Sequence, residues 1–228
     1  MSEERALHHF TLFRWTARYW SIAPSERRDA RHAWWQAMQG VAPRVYAYQV
    51  FPARADAEGL LWCAQPAPEG CSAGDFFHRF ARGMAPVRGL VEVVLTLWGF
   101  TRPSQYAGGR SPQEIDPFNA PRKPYLVVYP FSKTTDWYLM SKDARQGMMN
   151  EHIRLGRQFP QVLQLLAYST GLQDQEFVVA YETDDLAYFS ELVAALRSTD
   201  ARRYTLRDTP IITATYRPGE EALDITGG

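Results

Sequence analysis

Val162-Leu-Gln-Leu-Leu-Ala-Tyr-Ser169 and, shortly after it, Glu176-Phe-Val-Val-Ala-Tyr181 are two successive apolar runs of strand length. Helical patterns bracket the pair. Ser141 opens the first, which runs to about Gln158. Asp184 or Asp185 caps the second, whose stripe is Leu186, Phe189, Leu192, Val193 and Leu196. Outside these helices lie two more strands, Tyr125 to Phe131 and Pro210 to Tyr216, so this half reads β-α-β-β-α-β. The other half repeats the order: strand His8–Trp15, helix Ser25–Met38, strands Val45–Phe51 and Leu60–Gln65, a helix capped by Ser72, and strand Val91–Trp98. Two such units are two ferredoxin-like modules, an α+β fold. Each leaves one sheet face uncovered, and pairing those faces predicts a β-barrel with the helices outside. The expected division is residues 1–100 for the N-terminal module, 101–123 for a connecting loop rich in Pro, Gly and Ser, and 124–228 for the C-terminal module carrying the site. A cavity is expected inside the barrel or between its sheets, lined by the long connection.

Composition narrows the function classes. The chain has 228 residues and balances 25 Lys+Arg against 25 Asp+Glu, so bulk attraction to nucleic acid or an acidic membrane is not its driving interaction. With 46% hydrophobic and 22% charged residues it folds rather than stays disordered. Aromatic residues reach 14%, including 7 Trp, which suits a heavy core, an oligomer interface or a large flat ligand. Cys63 and Cys71 form no CxxC pair, and reduced thiols are expected. The polar start Met-Ser-Glu-Glu-Arg does not read as a secretory leader, and no apolar run approaches the roughly 18 residues of a membrane span. The expected compartment is the cytoplasm.

Few residues carry a chemical signal. No P-loop, GxGxxG, GxSxG or HExxH is present. His152 falls on the apolar stripe of its helix with Ala144, Met148, Leu155 and Phe159. Such a histidine is either a core residue or a neutral ligand aimed into an apolar space, and a single His without companions points to an iron porphyrin rather than zinc. Tyr129-Pro130 ends a strand, and Lys133 and Trp137 follow at once; they read either as a plain strand end or as a phenol and an ammonium at a cavity mouth. Arg202, Arg203 and Arg207 interleave with Asp200 and Asp208 and read as a solvated face.

Several stretches together resemble the chlorite dismutase family, and within it the coproheme decarboxylase branch. They are Tyr129-Pro-Phe-Ser-Lys133, Trp137-Tyr-Leu, Arg145-Gln-Gly-Met-Met-Asn-Glu-His152 with Gly156-Arg157, Gly171-Leu-Gln-Asp-Gln-Glu-Phe177, Leu196-Arg197, and Arg203-Tyr204 leading to Asp208-Thr-Pro210. Leu12-Phe-Arg-Trp15 and Ser104-Gln-Tyr106 are looser echoes. The resemblance implies hydrogen-peroxide-dependent oxidative decarboxylation of iron-coproporphyrin III (coproheme), both substrate and cofactor, to haem b through a tyrosyl radical. It implies His152 as iron ligand with Asp200 behind it, Tyr129 as the radical tyrosine and Lys133 as its cationic neighbour. Trp137 would lie against the macrocycle, and Arg197, Ser104 and Tyr106 near propionates. Leu163 takes the place of the distal arginine of chlorite dismutases. Gln164 is the alternative distal residue, and the two face opposite sides of a strand. A propionate-binding arginine found before the Tyr-Pro strand in some decarboxylases has no clear counterpart, and Arg110 or Arg122 are its candidate substitutes. The family also implies a homo-oligomer, a pentamer. The competing readings are a chlorite dismutase and a non-catalytic haem-binding or haem-transfer protein.

Overall fold

The computed structural model describes residues 5–67, 72–104, 106 and 111–224. In chain order the elements are β1 (Ala6–Trp15), a short α1 (Ala17–Ser21), α2 (Pro24–Gln39), β2 (Arg44–Gln49), β3 (Gly59–Pro66), α3 (Ala73–Gly83) and β4 (Val91–Phe100). After the connection come β5 (Tyr125–Lys133), a short α4 (Thr135–Leu139), α5 (Lys142–Gly156), β6 (Leu163–Tyr168), β7 (Phe177–Thr183), α6 (Leu186–Arg197), β8 (Thr205–Arg207) and β9 (Ile212–Tyr216).

The helices begin where their polar caps place them. Ser72 accepts the Asp75 N–H, Ser141 accepts the Ala144 N–H at 3.2 Å, and Pro24 occupies the first turn of α2. Asp185, not Asp184, caps α6 by accepting the N–H groups of Ala187 and Tyr188; Asp184 pairs with Lys123 instead.

Strands β4-β1-β3-β2 form one antiparallel sheet and β6-β7-β5-β9 the other, each in ferredoxin-like order. Two seams join them: β2 with β9 through Tyr48–Tyr216 and Gln49–Thr215, and β4 with β6 through Phe100–Tyr168. The eight strands therefore close into a barrel, and β8 pairs with the end of β5 outside it. Gly99 permits the narrower seam, since a Cβ there would stand 2.6 Å from the Tyr168 carbonyl oxygen.

The expectation of a cavity inside the barrel is corrected. Alternate residues of every strand point inward, and Phe10, Leu60, Trp62, Leu126, Leu165 and Val178 belong to one continuous core there. Among these apolar groups sits a buried ion pair, Arg122–Glu182 at 3.3 Å, each side chain 1% exposed. Arg122 also donates to the carbonyls of Asp116 and Ala120, and its guanidinium lies over the rings of Tyr46 and Trp62. It ties the connection into the barrel and is not free to meet a ligand outside, so its suggested role as a propionate arginine is withdrawn. Arg110 and Cys71 lie outside the described residues. Cys63 is a free, buried thiol, and burial pushes it up to about 12.

The space outside the barrel is filled differently in the two halves. Over the N-terminal sheet, Phe13, Trp15, Trp34, Met38 and Phe76 form a dense layer beneath α2 and α3. Over the C-terminal sheet, Val127, Val179 and Tyr181 meet Phe189 and Leu192 of α6, with Tyr129 and Phe131 packed alongside. Among the described residues, no helix is long and apolar enough to cross a membrane.

Candidate functional site

Of the longer helices, α2, α3 and α6 each have buried residues; α5 has none. Its stripe was expected to face the core, yet Ala144 is exposed, and Met148, His152 and Leu155 are only half-buried. The reason is placement. The main neighbours of α5 are α6 and the 3-10 turn Asp200–Tyr204, not a strand. Gln113 of the connection fixes its C-terminal end, donating from Nε2 to the carbonyls of Phe159 at 2.9 Å, Val162 at 3.2 Å and Gly156 at 3.3 Å.

His152 projects from this helix with Nδ1 buried and without a hydrogen-bond partner. Burial, and then the charge of Lys133, bring the imidazole down to about 4, so at neutral pH it is an uncharged donor of a nitrogen lone pair. Asp200 does not stand behind it. That carboxylate is exposed and paired with Arg203 at 3.3 Å. Glu151 is the acid whose charge bears on the imidazole.

Lys133 ends β5 beside an irregularity in the β5–β8 pairing. Its Nζ donates to the Ala201 carbonyl and to Thr205 Oγ1, both at 3.3 Å, and lies 4.6 Å from the centroid of Trp137. Burial and the neighbouring Arg202 lower the ammonium to about 8, with Glu176 opposing them. Trp137, 4% exposed, is carried by α4 and touches Tyr204 and Tyr106 with ring centroids 6.0 and 6.4 Å away. Tyr106 is held in turn by α5, its carbonyl accepting Gln146 Nε2 at 3.1 Å.

Tyr129 faces outward from β5, four residues before Lys133 and on the same face. Its ring stacks on Tyr181, 6.0 Å and 28° apart, and burial followed by that neighbour raises the phenol well above its ordinary value. It lines a cavity of about 240 Å³ with Phe189, Ser190, Val193, Arg197 and Ile211. Arg197, half exposed, pairs with Asp208 at 3.5 Å, and Arg202 pairs with the same carboxylate at 2.5 Å. The interleaved acids thus neutralise this basic cluster, as read from the sequence.

The remaining expected residues sit at the margins. Leu163, Leu165 and Ala167 face the barrel core, so Gln164 takes the outer face with Leu166. It pairs across the sheet with Tyr181, and its backbone is bound by Gln113 and Ile115 of the connection. Ser104 is exposed, and its hydroxyl accepts the Tyr106 N–H at 3.2 Å.

Sequence reasoning gave no site role to four residues that meet the expected ones. Glu176 accepts the Lys133 backbone N–H at 2.7 Å and interacts with Tyr138. Tyr181 stacks on Tyr129, Arg202 depresses Lys133, and Arg145 lies on α5 two turns before His152. Only Arg145 had a usable signal, its seven-residue spacing from His152, which places both on one helical face. The arrangement brings a neutral imidazole and a cation on an indole face near one another, while the buried phenol of Tyr129 lines the cavity beside α6. Among the described residues no three His, Cys, Asp or Glu side chains gather as a metal site.

A family profile described as "Chlorite dismutase" matches residues 25–217. A coproheme decarboxylase of Mycolicibacterium smegmatis is 30% identical over 170 residues, covering 73% of this chain and 70% of that protein. Among solved structures, the chlorite dismutase of Candidatus Nitrospira defluvii in complex with imidazole aligns with a TM-score of 0.84 at 20% identity, over 96% of this chain and 94% of the other. A variant of the same enzyme reaches 0.85 at 20% identity, over 98% and 95%. These structural likenesses establish the fold.

Proposed function

The chain belongs to the chlorite dismutase family, and on that premise we propose that it is a hydrogen-peroxide-dependent decarboxylase converting iron-coproporphyrin III to haem b. The 30% identity to a coproheme decarboxylase supports this branch, as does the uncharged Gln164 on the outer face of β6. The observation that carries the reading is His152: a neutral imidazole with an unpartnered buried Nδ1, on a helix that leans on α6 and the Asp200–Tyr204 turn, close enough to feel the charge of Lys133, which itself lies over Trp137.

The residues fit an iron porphyrin. His152 offers one axial nitrogen without needing to lose a proton, Trp137 offers a flat apolar wall, and Lys133 offers a cation for a propionate. When bound, the iron porphyrin supplies, with peroxide, two oxidising equivalents per propionate.

Tyr129 gives up its hydroxyl hydrogen atom and recovers one from the β-carbon of a propionate. Burial keeps the phenol protonated until then, so electron and proton leave together. Lys133 pins the carboxylate by a charge-assisted hydrogen bond, holding the reacting carbon near the phenol. The Cα–carboxylate bond then breaks to CO₂, a second electron leaves, and a vinyl group remains. Each round consumes one propionic acid side chain and one H₂O₂ and yields one vinyl group, one CO₂ and two waters. Two rounds give haem b.

The test is to load the protein with iron-coproporphyrin III, titrate peroxide and follow products by mass. Two successive losses of one CO₂ plus two hydrogens are expected, and Tyr129→Phe should bind the substrate normally but form no vinyl product. Near-normal haem b formation by that variant overturns the assignment of Tyr129. A rapid O₂ burst from chlorite with no vinyl formation overturns the reaction.

A further inference from the structure

The outer face of β5 and β7 carries two phenols side by side. The register pairs Tyr129 with Val179, so Tyr181, two residues further along β7, is the diagonal neighbour of Tyr129 on the same face. Their rings lie 6.0 Å and 28° apart, and the two hydroxyls share a hydrogen bond. The two members are not equivalent. Tyr129 lines the cavity beside α6, and the charges of Asp208 and Arg197 reach it. Tyr181 is 6% exposed, and it is burial and the bond to Tyr129 that act on it. Its other ring neighbour is Phe189, 5.2 Å and 52° away, which has no hydroxyl.

Such a pair can do what a lone phenol cannot. Once Tyr129 has lost its hydroxyl hydrogen atom, Tyr181 can pass its own along the line of the existing hydrogen bond. The O–H bond of Tyr181 breaks and one forms on Tyr129. Electron and proton move together, so the step creates no charge where a buried charge is costly. One phenol and one phenoxyl radical stand on each side of the step, so it is close to thermoneutral and needs no oxidant beyond the one that oxidised Tyr129. A benzene ring is far harder to oxidise than a phenol, so Phe189 ends the path. The oxidising equivalent stops at the buried Tyr181.

We infer that Tyr181 is the redox partner of Tyr129, holding the radical while no propionate hydrogen is in reach and returning it to Tyr129 when one is. The inference rests on the reading of Tyr129 as the radical tyrosine. It gives the site a place to keep one oxidising equivalent around the interval between the two decarboxylations, when the first product shifts to bring its second propionate to Tyr129 and Lys133. In this role Tyr181 acts through Tyr129 and needs no contact with the substrate.

The experiment compares wild type with Tyr181→Phe, which keeps the ring and removes only the hydroxyl. In the ligand-free full chain, labelled with carbon-13 at the tyrosine Cζ, exchange of the Tyr129 hydroxyl hydrogen with heavy water is followed by NMR. Tyr129→Phe identifies the signal. Loss of one hydrogen bond should speed this exchange about tenfold in Tyr181→Phe; a rate within twofold of wild type overturns the inference. In the chain loaded with haem b, whose two reactive propionates are already vinyl groups, peroxide is added and the radical is trapped by rapid freezing for electron paramagnetic resonance. Wild type should show two tyrosyl components, Tyr181→Phe one and Tyr129→Phe none. A wild-type signal with the shape and lifetime of Tyr181→Phe overturns the inference. So does a tyrosyl signal of wild-type size in Tyr129→Phe, since Tyr181 is then oxidised without its partner. No tyrosyl signal in wild type overturns the reading of Tyr129, and the inference with it. Failure of the decarboxylase reading is seen separately, as the absence of vinyl product when wild type loaded with iron-coproporphyrin III meets peroxide.

Discussion

The adjacent histidines of β1 make the fold itself sensitive to acid, and His9 is the cleaner one to remove. His8 points into the barrel, where Trp62 Nε1 donates to its Nδ1 at 3.3 Å. His9 points outward among Phe76, Phe77 and Phe80, with Thr11 Oγ1 at 3.1 Å from its Nδ1. Burial lowers His8 from 6.5 to about 3, with Arg122 adding to the effect, and burial alone lowers His9 to about 4. An imidazole whose folded value lies below its unfolded value gives stability that is fully present above pH 6.5 and is lost as the pH falls below it. Between pH 7 and pH 5 this linkage withdraws about 2 kcal/mol for each of the two. Glu182 acts in the opposite sense. Burial outweighs Arg122 and raises it from 4.5 to about 7, so its contribution is lost as pH rises through 7 and returns on acidification. Over the same interval it gives back about 2 kcal/mol. His9→Met preserves bulk in an apolar aromatic niche and is expected to change stability at pH 7 by about 1 kcal/mol or less. Its loss between pH 7 and pH 5 should be about 2 kcal/mol smaller than that of the wild type. Urea denaturation at both pH values, with matching m-values, measures this difference, and contributions common to both proteins cancel. A variant whose stability falls with pH as steeply as the wild type, within about 0.5 kcal/mol, refutes the account.

Two further perturbations test the scaffold. Gly99→Ala places a methyl against the Tyr168 backbone carbonyl at the seam between β4 and β6, where only Phe100–Tyr168 pairs, and should cost about 1–3 kcal/mol in chemical denaturation. Asp185→Ala removes the side chain that accepts two N–H groups at the start of α6, and a loss of about 0.5–2 kcal/mol is expected from thermal unfolding.

Local signals in the chain carried most of the fold. Ser72 and Ser141 mark real caps, and Tyr125 to Phe131 is a strand as read, with Leu126 and Val128 inside the barrel and Val127 and Tyr129 outside it. Two five-residue helices, α1 and α4, were not read because such lengths show no period. Alternation also decides between Leu163 and Gln164 once Leu165 and Ala167 are known to face the core, but the facing direction is a tertiary fact. The same limit hid Arg145, Glu176 and Tyr181, whose partners come from other elements, and it misplaced Arg122, whose counter-ion Glu182 is far along the chain.

The duplicated architecture bears on why the proposed site falls in the C-terminal module. Both modules lay helices over the outer face of a four-stranded sheet, yet the N-terminal one spends Phe13, Trp15, Trp34 and Phe76 on filling that layer. Burial of side chains this large, at roughly 25 cal/mol per Å² of apolar surface, stabilises that layer. In the C-terminal module α5 brings Ala144, Gly147 and Asn150 instead of such bulk, and leans on α6 and the Asp200–Tyr204 turn. A helix that does not close on its sheet leaves room for a flat ligand, and the side chains it does present, His152 and Arg145, are polar ones with unmade hydrogen bonds. The aromatic excess of the composition therefore divides in two. Of the 31 aromatic residues, 16 lie in residues 1–100, many of them filling the layer under α2 and α3, and Tyr129 and Trp137 of the C-terminal module are the ones proposed for the site.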